Sequence, residues 1–178
     1  MRPGWPFWPV ALMLVIGWLG FTWPWLSGAV TVPWDAKAHF YPQLQFLAQA
    51  LHSGESPFFA PYVFSGSAQV ADPQSLLTSP LHLLLARFNA DPSFAAADAV
   101  PFAMLLVGAL AVALYFHDRG WHPAGAMVAG IAFMFGGSAA WRIQHVGQIM
   151  SLAYLPVALL LIDRGLRRGS LRYGAAAG

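Results

Sequence analysis

An uncharged hydrophobic stretch near the start of the chain constrains the fold more than any other feature. Residues 9–26 hold no charged side chain, and about 18 residues of helix cross most of a ~30 Å hydrocarbon core. Tryptophans lie at both ends, as interfacial anchors do: Trp5, Trp8, Trp23 and Trp25. The stretch therefore predicts a membrane-spanning helix. The alternative is a signal peptide cleaved near Ser27-Gly28-Ala29, although its apolar core would exceed the usual ~7–15 residues.

Three later stretches are similarly hydrophobic, at about 95–116, 123–140 and 147–163, with Asp98 and Asp163 near the ends of the first and last of them. The chain of 178 residues is 58% hydrophobic and only 9% charged, whereas soluble domains are roughly 45–50% apolar and about 25% charged. The third stretch is rich in glycine and alanine, which let neighbouring helices approach closely. The sequence thus predicts an all-α membrane protein, with about four transmembrane helices in a single membrane domain over 1–178.

The 27–94 section between the first two spans is predicted to hold two amphipathic peripheral helices. In 36–51, apolar residues form one stripe at spacings of four, three and four: Phe40, Leu44, Leu47 and Leu51. Pro42 either kinks this helix or marks its true first turn. The second helix is expected over 73–88, after an ordered loop rich in proline, glycine and aromatic residues. Both are too short or too amphipathic to span, so we place them on the membrane surface or packed under the loop.

The basic residues orient the chain in a membrane. With a cytoplasmic N-terminus, six of them lie inside and three outside, in agreement with the positive-inside rule. The inside set is Arg2, Arg119, Arg164, Arg167, Arg168 and Arg172, and the outside set is Lys37, Arg87 and Arg142. The sequence therefore predicts a multi-pass protein of a cell membrane whose 27–94 loop is extracytoplasmic.

Composition excludes several classes of function. The net charge of only +2, from scattered residues, argues against a nucleic-acid partner. The chain has no cysteine, which excludes disulfide and thiolate chemistry. It also has no metal-ligand spacing of histidines, no glycine-rich phosphate loop and no nucleophile elbow. A transporter fragment would place charges mid-span, but the charges fall near the span ends.

Asp35 and His39 are the first candidates for chemistry, because residues four apart share one face of a helix, with Lys37 pointing away. A carboxylate near the apolar boundary can act as a general base or bind a divalent cation. Asp72 is a further candidate. A structural role is open for both acids, since Asp35 precedes the apolar stripe and Asp72 precedes Pro73, as helix N-caps do.

Arg142, His145 and Gln148 follow one another at spacings of three and would line one face between the third and fourth spans. The planar fork of an arginine matches phosphate and carboxylate groups. The sequence therefore predicts an anion-binding face at the outer boundary. The alternative is an interfacial anchor, in which the Arg142 guanidinium reaches out to water.

Several short motifs then occur in a recognisable order. They are D-A-K-A-H-F-Y-P from Asp35, Gly54-Glu55-Ser56-Pro57, Ala71-Asp72-Pro73-Gln74-Ser75, and R-I-Q-H-V-G-Q-I-M-S-L-A-Y-L-P from Arg142, which runs into L-L-L-I-D-R. Their order and spacing resemble the YfhO family of bacterial multi-pass membrane proteins, which are similar to the C-type (GT-C) membrane glycosyltransferases. The resemblance covers nearly the whole chain, most clearly residues 34–174.

The resemblance implies transfer of a sugar from a polyprenyl-phosphate donor on the outer face of a bacterial inner membrane. It implies that Asp35 serves as the base or as a metal ligand, and that Arg142, with His145, meets the donor phosphate. Many relatives carry a paired acid, but Ala36 stands beside Asp35 here. Metal dependence is therefore open, and Asp72 and His39 are candidates for the second member of the pair.

The resemblance also implies more spans than four. On that comparison we expect the chain to be an N-terminal part of a longer protein, inactive when isolated, with further spans or partner subunits completing the site. The missing acid pair favours a different function, that of a non-catalytic membrane protein such as a scaffold, carrier or envelope-assembly factor. That alternative predicts a rigid loop without a cavity at Asp35.

Overall fold

The computed structural model describes residues 4–63, 65–72 and 74–178. Arg2, used in the orientation argument, lies outside the described residues, as do Phe64 in the predicted loop and Pro73 at the start of the second predicted peripheral helix. The structure is 72% helical, which confirms the all-α prediction.

Eight helices appear among the described residues. In chain order they are α1 (Trp8–Leu26), α2 (Tyr41–Ser53), α3 (Pro80–Phe88), α4 (Phe94–Asp118), α5 (Pro123–Phe135), α6 (Gly137–Arg142), α7 (Val146–Arg168) and α8 (Leu171–Ala177). Four segments are long and apolar enough to cross a membrane, namely α1, α4, α5 together with α6, and α7. They match the four predicted spans, so the chain is a multi-pass membrane protein.

The third span is broken between α5 and α6. The sequence predicted one unbroken helix over 123–140, without this break. At the break, Gly136 has extended backbone and its N–H donates to Ala132 O over 2.9 Å. A Cβ at Gly136 would lie 2.2 Å from that same carbonyl oxygen. A side chain at this position would therefore clash with the backbone of the preceding turn.

Contacts divide the chain into two compact units, and we describe each separately. The first contains the residues up to Trp23, Phe102–Ile143 and Gln148–Gly178. The second contains Pro24–Pro101 and Gln144–Gly147. The single membrane domain predicted over 1–178 stays a prediction.

Small residues allow close helix packing in the first unit. Trp18 Nε1 of α1 donates to Phe102 O of α4 over 2.8 Å. A Cβ at Gly130 of α5 would lie 2.9 Å from Leu14 Cδ2 of α1, and one at Gly108 of α4 would lie 2.3 Å from the Phe133 ring of α5. The glycines thus mark places where neighbouring helices meet, as the sequence predicted for Gly130.

Replacing Gly108 with leucine is expected to lower the melting temperature of the protein in detergent. The new side chain must displace the Phe133 ring, and overpacking of this kind costs about 1–3 kcal/mol of stability. Gly17→Leu is the matched control, because a Cβ at Gly17 meets nothing within 4 Å. Equal melting temperatures for the two variants would contradict the close α4–α5 contact.

The second unit is built on the packing of α2 against α3. Its buried cluster consists of Leu44, Leu47, Ala48, Leu77 and Ala86, with Leu51, Leu85 and Ala97 packed around it. The first peripheral helix is confirmed over 36–53, as a π-helical turn (Ala36–Phe40) followed by α2. Pro42 lies at the start of α2 directly after the π-helical turn, so the helix continues through it although it offers no backbone N–H. Gly54 ends α2 in the left-handed conformation (φ 75°).

The second peripheral helix begins at Pro80, so the predicted start at 73 is wrong by seven residues. Ser79 is the N-cap and has extended backbone, and Pro80 is the first residue of the helix. Leu76, which falls within the predicted helix, has φ of +52° and lies outside α3. Asp72 is therefore not the N-cap of this helix.

The loop before α3 contains a small antiparallel hairpin that was not predicted. β1 (Phe59–Ala60) pairs with β2 (Ser67–Ala68) in the register Phe59–Ala68 and Ala60–Ser67. A single turn of 3₁₀ helix, Gln69–Ala71, follows β2. The hairpin and this turn bring residues of the loop alongside α2.

Candidate functional site: a glutamine-lined cleft

A cleft of about 370 Å³ lies between α2 with its π-helical turn and the hairpin. The α2 side contributes Ala38, His39, Pro42, Gln43, Gln45, Phe46 and Gln49, and the hairpin side contributes Ala60, Tyr62, Val63, Ser67, Gln69 and Asp72. Among the described residues that line it there is no lysine or arginine. The lining is thus largely uncharged and combines glutamine side chains with apolar groups, among them the Phe46 and Tyr62 rings, which meet edge to face at 6.4 Å.

His39 and Asp72 are joined across this cleft through one amide group. Gln43 Nε2 lies 3.3 Å from His39 Nε2 and donates to Asp72 Oδ2 over 3.1 Å. An amide nitrogen has two hydrogens, so it serves both partners when His39 Nε2 carries no proton. Gln43 Oε1 is buried, and it has no hydrogen-bond partner in the part of the chain that the structure describes. The arrangement holds the Asp72 carboxylate at a fixed position in the cleft.

The Asp72 carboxylate can accept further hydrogen bonds from a ligand. Its Oδ1 accepts the Gln74 N–H over 2.8 Å, and its backbone oxygen accepts the Ser75 N–H over 3.1 Å. These bonds fix a tight turn after the 3₁₀ helix. Each carboxylate oxygen can accept two hydrogen bonds, so both keep capacity for a ligand hydroxyl.

Asp35 is placed differently, since it is absent from the described lining of the cleft. Its Oδ2 lies 3.1 Å from His145 Nδ1, and the two side chains are 57% and 34% exposed. Asp35 occupies the N-cap position of the π-helical turn, as predicted, but its side chain makes no capping hydrogen bond. Although Asp35 and His39 are four residues apart, they contact different partners.

Arg142 and Gln148 belong to the first unit, where the Arg142 guanidinium donates to Gln148 Oε1. His145 belongs to the second unit, with Asp35. Of the three predicted anion-binding residues, Arg142 and Gln148 therefore contact each other, whereas His145 contacts Asp35.

The described residues do not fit a divalent cation held by the protein. Asp35 and His145 supply two donor side chains, and no group of three or more His, Asp or Glu that could hold a metal ion occurs within 4–63, 65–72 and 74–178. Calcium takes 6–8 oxygen ligands, which these two side chains cannot supply, and magnesium would need substrate phosphates to complete its shell. We therefore derive no step through a metal ion.

Sequence reasoning missed Gln43, Phe46 and Gln49 as site residues. A signal was present, because His39, Gln43, Phe46 and Gln49 recur at spacings of four, three and three. That stripe lies on the face of α2 away from the apolar stripe. Gln69 could not have been found in this way, because the turn that buries it to 7% exposure has no periodic pattern.

A second polar site lies within the same unit and is closed. His82 and Asp98 are both buried, and they line a cavity of about 10 Å³ together with Tyr41 and Leu44. Asp98 Oδ2 accepts from Thr31 Oγ1 over 3.0 Å and from Val32 N over 2.9 Å. A space this small holds about one water molecule, so we assign the site a structural role.

Burial of His82 makes the stability of the folded chain depend on pH. Its imidazole has lost water, with Nδ1 3.0 Å from Ser79 Oγ, and this desolvation lowers its pKa from 6.5 to about 4. The unfolded chain takes up a proton as pH falls below about 6.5, whereas the folded chain does so only near pH 4. The contribution to stability is therefore full above pH 6.5 and is lost as pH falls towards 4, by on the order of 3 kcal/mol.

A pH titration of thermal stability tests this. The melting temperature of the protein in detergent is expected to fall between pH 7 and pH 4.5. In His82→Leu that fall should be smaller, because no buried imidazole remains to be protonated. His52→Leu is the control, since His52 is exposed, and its pH profile should match that of the unaltered protein.

Comparison with protein-family models, with curated proteins and with solved structures gave no match.

Proposed function

We propose that this chain forms the first-loop part of a membrane glycosyltransferase that transfers a sugar from a polyprenyl-phosphate donor. In this proposal it lies in a bacterial inner membrane with its N-terminus in the cytoplasm, and the cleft opens on the extracytoplasmic side. Four candidate spans and the charge balance of their connections support that placement. The motif order that resembles the YfhO family supports the reaction class.

The observation on which the proposal depends most is the His39–Gln43–Asp72 arrangement within an open cleft. A carboxylate within hydrogen-bond reach of a hydroxyl group can act as its general base. The Gln43 amide fixes Asp72 and keeps His39 in the same network. We assign the base to Asp72, whereas the sequence motifs favoured Asp35.

The transfer step is then a displacement at the anomeric carbon of the donor sugar. The acceptor oxygen forms a bond to that carbon while its proton passes to the Asp72 carboxylate. The bond from the same carbon to the phosphate oxygen breaks, and its electron pair leaves with polyprenyl phosphate. The proton on Asp72 returns to water after the products leave.

The lining of the cleft fits the acceptor rather than the donor phosphate. Amide groups of glutamine both donate and accept hydrogen bonds, as hydroxyl groups do. The Phe46 and Tyr62 rings offer apolar faces to the C–H side of a sugar ring. A phosphate would need cations, and the described lining has none. Arg142, with His145, stays the proposed partner of the donor phosphate on chemical grounds alone.

The test is donor consumption by membranes of the organism that makes this protein. Membranes from unaltered cells should convert a labelled polyprenyl-phosphate sugar to polyprenyl phosphate. Membranes from cells that lack the gene should not, and supplying the gene again should restore conversion. Equal consumption with and without the gene would support the non-catalytic alternative, a scaffold, carrier or envelope-assembly factor.

A further inference from the structure

An apolar groove runs between α4 and α7 within the first unit. Its volume is about 400 Å³, and it is lined chiefly by Val112 and Tyr115 of α4 and by Pro156, Leu159 and Ile162 of α7. Leu159 and Ile162 remain about half exposed. Both helices are apolar enough to span a membrane, so a lipid acyl chain is a chemically suitable occupant of this groove.

An ionic cluster stands at the C-terminal ends of the same two helices. Arg164 binds Asp118 with two bonds, Nε to Oδ2 at 2.5 Å and Nη2 to Oδ1 at 3.1 Å. Arg119 donates to Asp163 Oδ1 over 2.5 Å, and Arg167 contacts both aspartates. Three arginines thus meet two aspartates, which leaves a net charge of +1.

The excess positive charge of the cluster lies on exposed side chains. The side chains of Arg119 and Arg167 are 38% and 37% exposed, whereas those of Asp118 and Asp163 are each 13% exposed. A guanidinium carries five N–H donors, which is more than these bonds use. The cluster therefore presents positive charge outward while its acids stay covered.

Groove and cluster are continuous, because two residues belong to both. Tyr115 lines the groove, and its hydroxyl accepts from Arg119 Nη2 over 3.0 Å. Asp163 also lines the groove and holds Arg119 and Arg167. A molecule with a hydrocarbon tail and an anionic head would therefore contact both at once.

We propose that this surface binds one anionic phospholipid, with an acyl chain in the α4–α7 groove and its phosphate against Arg119 and Arg167. Apolar contact holds the chain, and the fixed arginines select a net negative headgroup. The proposal is independent of the sugar-transfer reaction, since it uses none of the residues of the cleft.

Lipid retention measured by native mass spectrometry tests the proposal. The protein in detergent, mixed with equal amounts of phosphatidylglycerol and phosphatidylcholine, should retain one phosphatidylglycerol in preference. Each of Arg119→Gln and Arg167→Gln should weaken that retention roughly fivefold. Arg87→Gln, which removes an exposed charge from the second unit, is the matched control and should retain the lipid as the unaltered protein does.

Leu159→Trp provides a second variant that leaves every ion pair intact. Its larger side chain should fill the groove and reduce phosphatidylglycerol retention. In the unaltered protein, excess inorganic phosphate should not displace the bound lipid. Equal retention of the two lipids, displacement of the lipid by inorganic phosphate, or unchanged retention in Leu159→Trp would each overturn the proposal. A loss of lipid retention in Arg87→Gln equal to that in Arg119→Gln and Arg167→Gln would also overturn the proposal.

Discussion

Replacing Asp98 with alanine is expected to lower the free energy of unfolding by about 3 kcal/mol. Asp98 is 5% exposed, and one of its oxygens accepts both the Thr31 hydroxyl and the Val32 N–H. Val32 is itself 1% exposed, so its N–H would stay buried and lose its partner. The carboxylate therefore holds the segment after α1 against the first turns of α4. Unfolding of the purified protein in detergent measures the loss.

Two matched variants sharpen this stability test. Asp98→Asn keeps a carbonyl oxygen that can accept the Val32 N–H, so its loss of stability should be smaller. Asp91→Ala removes an exposed carboxylate whose bond from Gln45 Nε2 is 3.2 Å long, and it should change stability little. A loss of stability in Asp91→Ala equal to that in Asp98→Ala would argue against a special role for the buried acid.

Replacing Asp72 with asparagine is expected to reduce the rate of sugar transfer by about 10²–10⁴-fold, the usual contribution of a general base. The amide cannot take the acceptor proton at neutral pH. It can still accept the Gln74 N–H that fixes the turn, so the fold should survive. The measurement is donor consumption by membranes of cells that carry the substitution in their own gene.

The control for Asp72→Asn is Asp91→Asn, an equal change of charge outside the described lining of the cleft. Its transfer rate should stay within a few-fold of the unaltered rate. Immunoblotting of the same membranes confirms equal amounts of protein. Transfer by Asp72→Asn at the unaltered rate would remove this carboxylate from the mechanism.

The sequence predicted the long helices well, for a physical reason. A span requires about 20 apolar residues without charges, and that pattern is local. The stripe of Leu44 and Leu47 likewise predicted which face of the first peripheral helix is buried, because helical periodicity is local too. The prediction was wrong where two prolines, Pro73 and Pro80, offered alternative helix starts.

The arrangement of the cleft could not be predicted in the same way. Periodicity gives the face on which His39 and Gln43 lie but not the partner that this face meets. Asp72 reaches Gln43 because a two-stranded hairpin folds back towards α2, and each strand has only two residues. The contact between Asp35 and His145 joins residues distant in the chain. Spacing placed Asp35 with His39 and His145 with Arg142, whereas tertiary folding brings Asp35 and His145 together.

The most direct test of the account is the single-turnover rate of sugar transfer, measured side by side for Asp72→Asn and Asp35→Asn. We predict a loss of about 10²-fold or more for Asp72→Asn, and a change of only a few-fold for Asp35→Asn, whose carboxylate contacts His145 and is absent from the described lining of the cleft. A severe loss in Asp35→Asn together with near-normal transfer in Asp72→Asn would contradict the account.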